Sequence, residues 1–152
     1  MIQLNSLRSK PFPKDSDLGI WLAIKSDAKH VGLVYRVGKE ANANFLHLGF
    51  HHELRCETLV GNDSFANSYA LLPLPGFNDT EQLELAVWLE KIWTMNGKIV
   101  PYGITYSGAG YFNQAGRFAA SGNGVGLTCA TFVMAIFDDF CLPILDWRTG
   151  DH

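Results

Sequence analysis

The residues of this chain best suited to covalent chemistry are one cysteine and a set of histidines. Cys129 lies in GNGVGLTCATFVMAIF, after Gly122, Gly124 and Gly126 and at the head of an apolar run. A thiol attacks carbonyl carbon as the thiolate. A helix N-terminus or a nearby imidazolium lowers its pKa from about 8.5 to roughly 3.5–7.5. The N–H groups of a first helical turn favour negative charge, and one donor to an oxyanion is worth about 3–4 kcal/mol of barrier. Glycines just upstream let a substrate backbone come close. The same position equally suits a small apolar core residue, since free cysteine is among the most buried residue types. Cys141, late in the same run, reads as core, and Cys56, in HHELRCETL, reads as structural or exposed.

A cysteine nucleophile needs a base in reach, and the base needs an orienting partner. The five histidines are His30, His47, His51, His52 and His152. His152 is the last residue. His30 opens the run HVGLVYRV after the turn-like SDAKH, and His47 stands inside the run that follows the polar GKEANAN. If the two runs pair as antiparallel strands, His30 and His47 come side by side. His51 shares a strand face with His47, and His52 takes the other face. A turn-capping role for His30 and a satisfied core role for His47 remain open at this point. The three cysteines cannot all pair within the chain, and no Cys or His spacing has the form of a metal site. No metal or organic cofactor is expected.

The elements that must position these groups read as an α+β domain. LGIWLAIK (18–25) and HVGLVYRV (30–37) are β-rich, and 44–60 reads as one long strand or two short ones. The first three runs suit an antiparallel meander. FNDTEQLELAVWLEKIWTMNG reads as a helix, with Asp79 as N-cap and Gln82 three residues on. Leu83, Ala86, Val87, Leu89 or Glu90, and Trp93 recur in it at helical spacing, and Asn96-Gly97 supplies the stop. KIVPYGITY reads as extended. A Gly-rich loop from Ser107 to Gly126 contains no Walker lysine and reads as a flexible cover over substrate. TCATFVMAIFDDF reads as the second helix, with Val133, Ile136, Phe137 and Phe140 on one face and Pro143 past its end. Residues 1–17 read as a polar arm, and 18–152 as one domain.

KHVGLVYRVGKEANANFLHL resembles the histidine hairpin of the NlpC-type branch of papain-like cysteine hydrolases, in which a strand opens His-Val-Gly-Ile-Tyr and the next strand carries a second polar residue. GLTCATFV resembles that family's cysteine-bearing helix start, commonly Asp-Cys-Ser-Gly-Phe-Val. Here the hairpin precedes the cysteine helix, an order similar to the circularly permuted branch that includes lecithin:retinol acyltransferase-like proteins. VPYGITY resembles the Pro-Tyr segment that often precedes the cysteine in that branch. The resemblance implies a permuted papain-like fold with Cys129 as nucleophile, His30 as base, His47 or His51 as orienter, and Tyr102 as a hydrogen-bond donor to the oxyanion. Thr128 and Gly126 flank the cysteine, where substrate would lie. Thr128 stands where the family has Asp or Asn.

Composition bounds the function classes. The chain has 152 residues, 47% of them hydrophobic and 18% charged, with a formal net charge of -3. That is the profile of a globular domain with a core of its own. No Lys/Arg cluster offers a footprint for nucleic acid, and no apolar stretch is long enough for a membrane span. The N-terminal residues carry no apolar segment of signal-peptide type. The expected location is cytoplasmic, or exported without a classical signal peptide. The expected function is an amidase or peptidase working through an acyl-enzyme, with a peptide or amide substrate such as a cell-wall peptide. A lipid acyltransferase or thioesterase using the same cysteine is the alternative within the fold. A non-catalytic papain-like binding or immunity module is the alternative outside catalysis.

Overall fold

A computed structural model describes residues 18–25, 30–38, 41–49, 53–59, 65, 68–74, 76–97 and 99–140 of the chain. The expected arm (1–17), His51, His52, Cys141, Pro143 and His152 lie outside the described residues.

Five strands form one antiparallel sheet: β1 (Leu18–Lys25), β2 (His30–Val37), β3 (Ala43–Leu48), β4 (Leu54–Leu59) and β5 (Tyr69–Pro73), in the order β4-β3-β2-β1-β5. The first four make the meander that the sequence suggests, extended by one strand. The first two runs pair along their whole length, from Leu18 opposite Val37 to Lys25 opposite His30. The 44–60 run is two strands rather than one. They turn back at Gly49, whose N–H donates to the Glu53 carbonyl at 2.7 Å. Strand β5 is absent from the sequence reading, because the prolines of YALLPLP argue against a strand. Pro73 is nonetheless tolerated as the last residue of an edge strand, where its missing N–H costs no ladder bond.

Helix α1 (Asp79–Asn96) is capped one residue earlier than expected. Asn78, not Asp79, is the N-cap: its side chain accepts the Glu81 N–H at 3.0 Å, and the Glu81 carboxylate accepts the Asn78 N–H at 2.9 Å. Gln82 instead donates to the Phe77 carbonyl at 3.1 Å. The buried face is Leu85, Ala86, Trp88, Leu89 and Ile92, while Leu83 and Val87 are 38% and 40% exposed. The stripe is rotated from the expected one by about one residue. That rotation buries Trp88, the side chain with the most apolar area to gain. Gly97 ends the helix at φ +54°, its N–H donating to the Trp93 carbonyl at 2.9 Å.

Helix α2 (Cys129–Asp139) follows the N-cap Thr128 and buries Phe132, Val133, Ala135, Ile136 and Phe137. Both helices pack on one face of the sheet, against Leu33, Tyr35, Leu46, Leu48 and Leu54. The other face carries a smaller apolar cluster around Trp21, Val34 and Phe45, with Phe65 and Tyr69 packed on it.

The Gly-rich loop is tied down rather than free to cover a substrate. Phe112 N–H donates to the Asp139 carboxylate at 2.7 Å. Asn96 accepts from Phe118 N–H and donates to the Gly116 carbonyl, both at 2.7 Å. Tyr111 and Phe112 are buried. These bonds anchor the loop to both helices.

Gly32 is the tightest point between β2 and β3. A β-carbon there would lie 2.6 Å from the His47 β-carbon and from a Phe45 ring carbon, and 2.8 Å from the Leu46 carbonyl oxygen. Facing β-carbons ordinarily stand about 4.5–5.5 Å apart, so the strands must part to accept one. Gly32→Ala is expected to cost about 1–3 kcal/mol, read as a lower urea midpoint. An unchanged midpoint would show that the strands yield freely.

Candidate functional site

Three adjacent strands each contribute one polar side chain to a single face of the sheet. The β2–β3 register pairs Leu33 with Leu46 and Val34 with Phe45. Continued toward the start of β2, it sets Gly32 opposite His47, with His30 one diagonal step away. The β3–β4 register sets Phe45 opposite Glu57 and His47 opposite Arg55, so Glu57 is diagonal to His47 on the other side. Strand alternation sends all of these to the face that carries Phe45, away from Leu33 and Leu46.

The side chains meet. His30 Nε2 lies 2.8 Å from His47 Nδ1, and His47 Nε2 lies 3.2 Å from Glu57 Oε1. The two imidazoles stand edge to face, at 84° with centroids 4.8 Å apart. The His47 ring is stacked on Phe45 at 16° and 4.4 Å. Phe45 and the β3 backbone bury His47 to 6% exposure, while the Glu57 side chain stays 55% exposed. The predicted pairing of His30 with His47 is therefore present. Glu57 was not anticipated. Reading 44–60 as a hairpin would have exposed it, since the fold-back brings Glu57 diagonal to His47.

The proton positions follow from the partners. A carboxylate only accepts, so His47 Nε2 carries the proton directed at Glu57. A neutral His47 then offers an unprotonated Nδ1, and His30 donates to it from Nε2. The remaining nitrogen, His30 Nδ1, is left with its lone pair. Burial holds the pKa of His47 below the usual imidazole range, against the opposing pull of Glu57. Burial first, then the positive charges of His47 and Lys25, hold His30 below it as well. Both rings are thus neutral at pH 7, the form able to take a proton.

The second group of predicted residues gathers at the head of α2. Thr128 caps the helix: its hydroxyl accepts the Thr131 N–H at 3.2 Å, and the Thr131 hydroxyl accepts the Thr128 N–H at 2.7 Å. The Thr128 hydroxyl is therefore engaged in holding the helix start. Gly126 is buried against the backbone of Pro101–Gly103, where a β-carbon would come 2.6 Å from the Pro101 carbonyl oxygen. Its place is one of close backbone packing. Leu127 N–H donates to that same oxygen at 2.8 Å. This pairing carries Tyr102, 41% exposed, beside the chain that enters Cys129. Cys129 is half-buried and in phase with Phe132, Val133 and Ile136 on the inner face of the helix.

The two groups share one end of the sheet. Glu53, just before β4, is bridged to Ile99, which leads directly into Pro101 and its pairing with Leu127. His30 begins β2 at this same end, opposite the turn at Gly49. The histidines lie on the Phe45 face of the sheet, whereas α2, which Cys129 begins, packs on the opposite face. A groove of about 600 Å³ between Val37, Asn42 and Val87, Met95 lies at the other end of β2 and takes no part in this arrangement.

No family model, curated protein or solved structure matches the chain. Among the described residues, no cluster of three or more His, Cys, Asp or Glu is arranged to hold a metal, and no helix is long and apolar enough to cross a membrane.

The lowered histidine pKa values have a thermodynamic consequence. Each ring binds its proton less readily in the folded chain than at the unfolded value of about 6.5. The stability they contribute is therefore complete above pH 6.5 and is lost as pH falls through 6.5 toward the folded values. The urea midpoint is expected to drop between pH 7 and pH 5.5. His47→Gln is expected to flatten that slope, and an equal slope in wild type and variant would contradict the burial argument.

Proposed function

We propose that this protein is a cysteine-dependent hydrolase of amide or peptide bonds, a papain-like domain in permuted order with Cys129 as nucleophile. The observation that carries the reading is the His30–His47 pair at 2.8 Å, whose hydrogen bonding leaves the His30 Nδ1 lone pair open at the end of the sheet where α2 begins. His30 and Cys129 are each the first residue of their element, and the reading requires the ring and the sulfur to meet past the edge of the sheet.

In this scheme His30 Nδ1 takes the thiol proton as sulfur attacks the substrate carbonyl carbon. The first-turn N–H groups of α2, with Tyr102 beside them, receive the charge that develops on the carbonyl oxygen. Collapse of the tetrahedral species breaks the C–N bond, and the His30 imidazolium gives its proton to the departing amine. Water, deprotonated by His30, then opens the thioester and frees Cys129. His47 keeps the His30 ring in the required tautomer throughout. The substrate class is a peptide or other amide, with cell-wall peptides among the first to try. The place of action that goes with this reading is the cytoplasm or, after export, the cell exterior.

Iodoacetamide at neutral pH is expected to modify Cys129 well before Cys56, whose thiol is pushed up by burial. His30→Ala should remove that preference. Hydrolysis of a panel of peptides and peptidoglycan fragments should vanish in Cys129→Ala. Equal labelling of the two thiols in wild type would sink the proposal.

A further inference from the structure

The chemistry assigned to His30 needs one nitrogen and not the other. A pair of neutral histidines sharing a single hydrogen bond has no inherent direction. Either ring can donate, and the proton arrangement with His30 Nδ1 protonated is as available as its opposite. What gives the pair a direction is the group beyond it. Glu57 Oε1 lies 3.2 Å from His47 Nε2 and can only accept.

We infer that Glu57 is a positioning residue: through His47 it fixes the tautomer of His30, so that Nδ1 is the proton-accepting atom. The inference rests on the reading of His30 as the base. Glu57 itself touches neither nucleophile nor substrate in this scheme. It acts through His47, as the outer carboxylate of a three-member chain spanning β4, β3 and β2. Its second effect is charge. Among the described residues, the charged groups facing the pair are Lys25, opposite His30 on β1, and Arg55 and Glu57 on β4. Arg55 is occupied by Glu53 at 2.6 Å, and Lys25 and Arg55 both disfavour an imidazolium. Glu57 is the anion that opposes them, stabilising the imidazolium that forms when His30 takes a proton.

Two variants test this. Glu57→Gln removes the charge and leaves His47 Nε2 a partner that can either accept or donate, whereas Glu57→Ala removes both charge and partner. Glu57 is half-exposed on an edge strand, so neither change opens the core. Nitrogen-15 spectra of the histidine rings at neutral pH are expected to show both rings protonated at Nε2 in wild type and mixed tautomers in Glu57→Ala, with Glu57→Gln between them. The titration midpoints of both rings should move to lower pH in both variants. Alkylation of Cys129 by iodoacetamide should slow by about two- to fivefold in Glu57→Ala, the scale of a solvent-screened charge pair, and less in Glu57→Gln. Unchanged tautomers in Glu57→Ala would overturn the inference. If the tautomers change as expected but His30→Ala alkylates like wild type, the role of Glu57 on the rings stands and the cysteine scheme falls.

Discussion

The site depends first on how closely two strands approach at Gly32. His47 projects from β3 directly across from that position, and the space a side chain would fill is taken by the His47 β-carbon and the edge of Phe45. With that space open, Phe45 lies flat beneath the His47 imidazole and the ring extends along the sheet toward His30. A methyl group at position 32 would push His47 outward and break the 2.8 Å contact that defines the pair. His-x-Gly at the start of β2 is thus one device. The histidine supplies one member of the pair, and the glycine two residues on supplies the room for the other.

The head of α2 is built by the same means. Gly103 and Gly126 lie back to back, each with backbone atoms where the other's side chain would be. That contact lets Leu127 pair with Pro101 and aims the chain into the Thr128 cap and then Cys129. The histidine pair and the start of α2 are therefore both set by backbone contact. His47 shows the energetic condition for such a site. A buried polar ring is tolerated only when its nitrogens are bonded, and the bonds to His30 and Glu57 meet that condition while Phe45 supplies the apolar contact.

What the sequence made legible follows from the range of each signal. The strand runs at 18–25 and 30–37 are read to the residue because β-rich composition and flanking turn residues are local. The capping residues at the start of α2 are local too. The diagonal pairing of His30 with His47 was readable because one short polar loop joins their strands, which leaves few registers. Glu57 was missed because its approach to His47 depends on a second fold-back, within a run whose division at Gly49 carried no strong turn dipeptide. The inner face of α1 was misplaced by about one residue, since Leu83 and Val87 fit a helical stripe as well as Leu85 and Leu89 do. The choice belongs to Trp88 and the sheet it packs on. Strand β5 hid behind its prolines. The approach of the chain to Cys129 is tertiary altogether: it passes through the Glu53–Ile99 bridge and the Leu127–Pro101 hydrogen bond, four residues that no local pattern links.

The polar clusters of the molecule also differ in a way that separates chemistry from architecture. Tyr35 donates to Glu90 at 2.5 Å beneath the helices, with Cys56 sulfur 3.6 Å from the same hydroxyl. Burial and the neighbouring Glu90 push the Tyr35 phenol well above its ordinary value, so it keeps its proton. Tyr106 donates to Asp138 in the same manner and is pushed up for the same reasons. In both cases a single-proton donor meets an acceptor-only carboxylate, and the donor has no second proton to pass on. The cluster closes on itself. The histidine chain begins the same way, at a carboxylate, but each imidazole has a second nitrogen, so the demand of Glu57 passes through His47 into His30 and emerges as an unprotonated nitrogen. A chain needed only to satisfy buried groups could stop at any donor. This chain carries its direction through two rings and ends at a nitrogen that can take a proton, the feature on which the proposed role of His30 as a base rests.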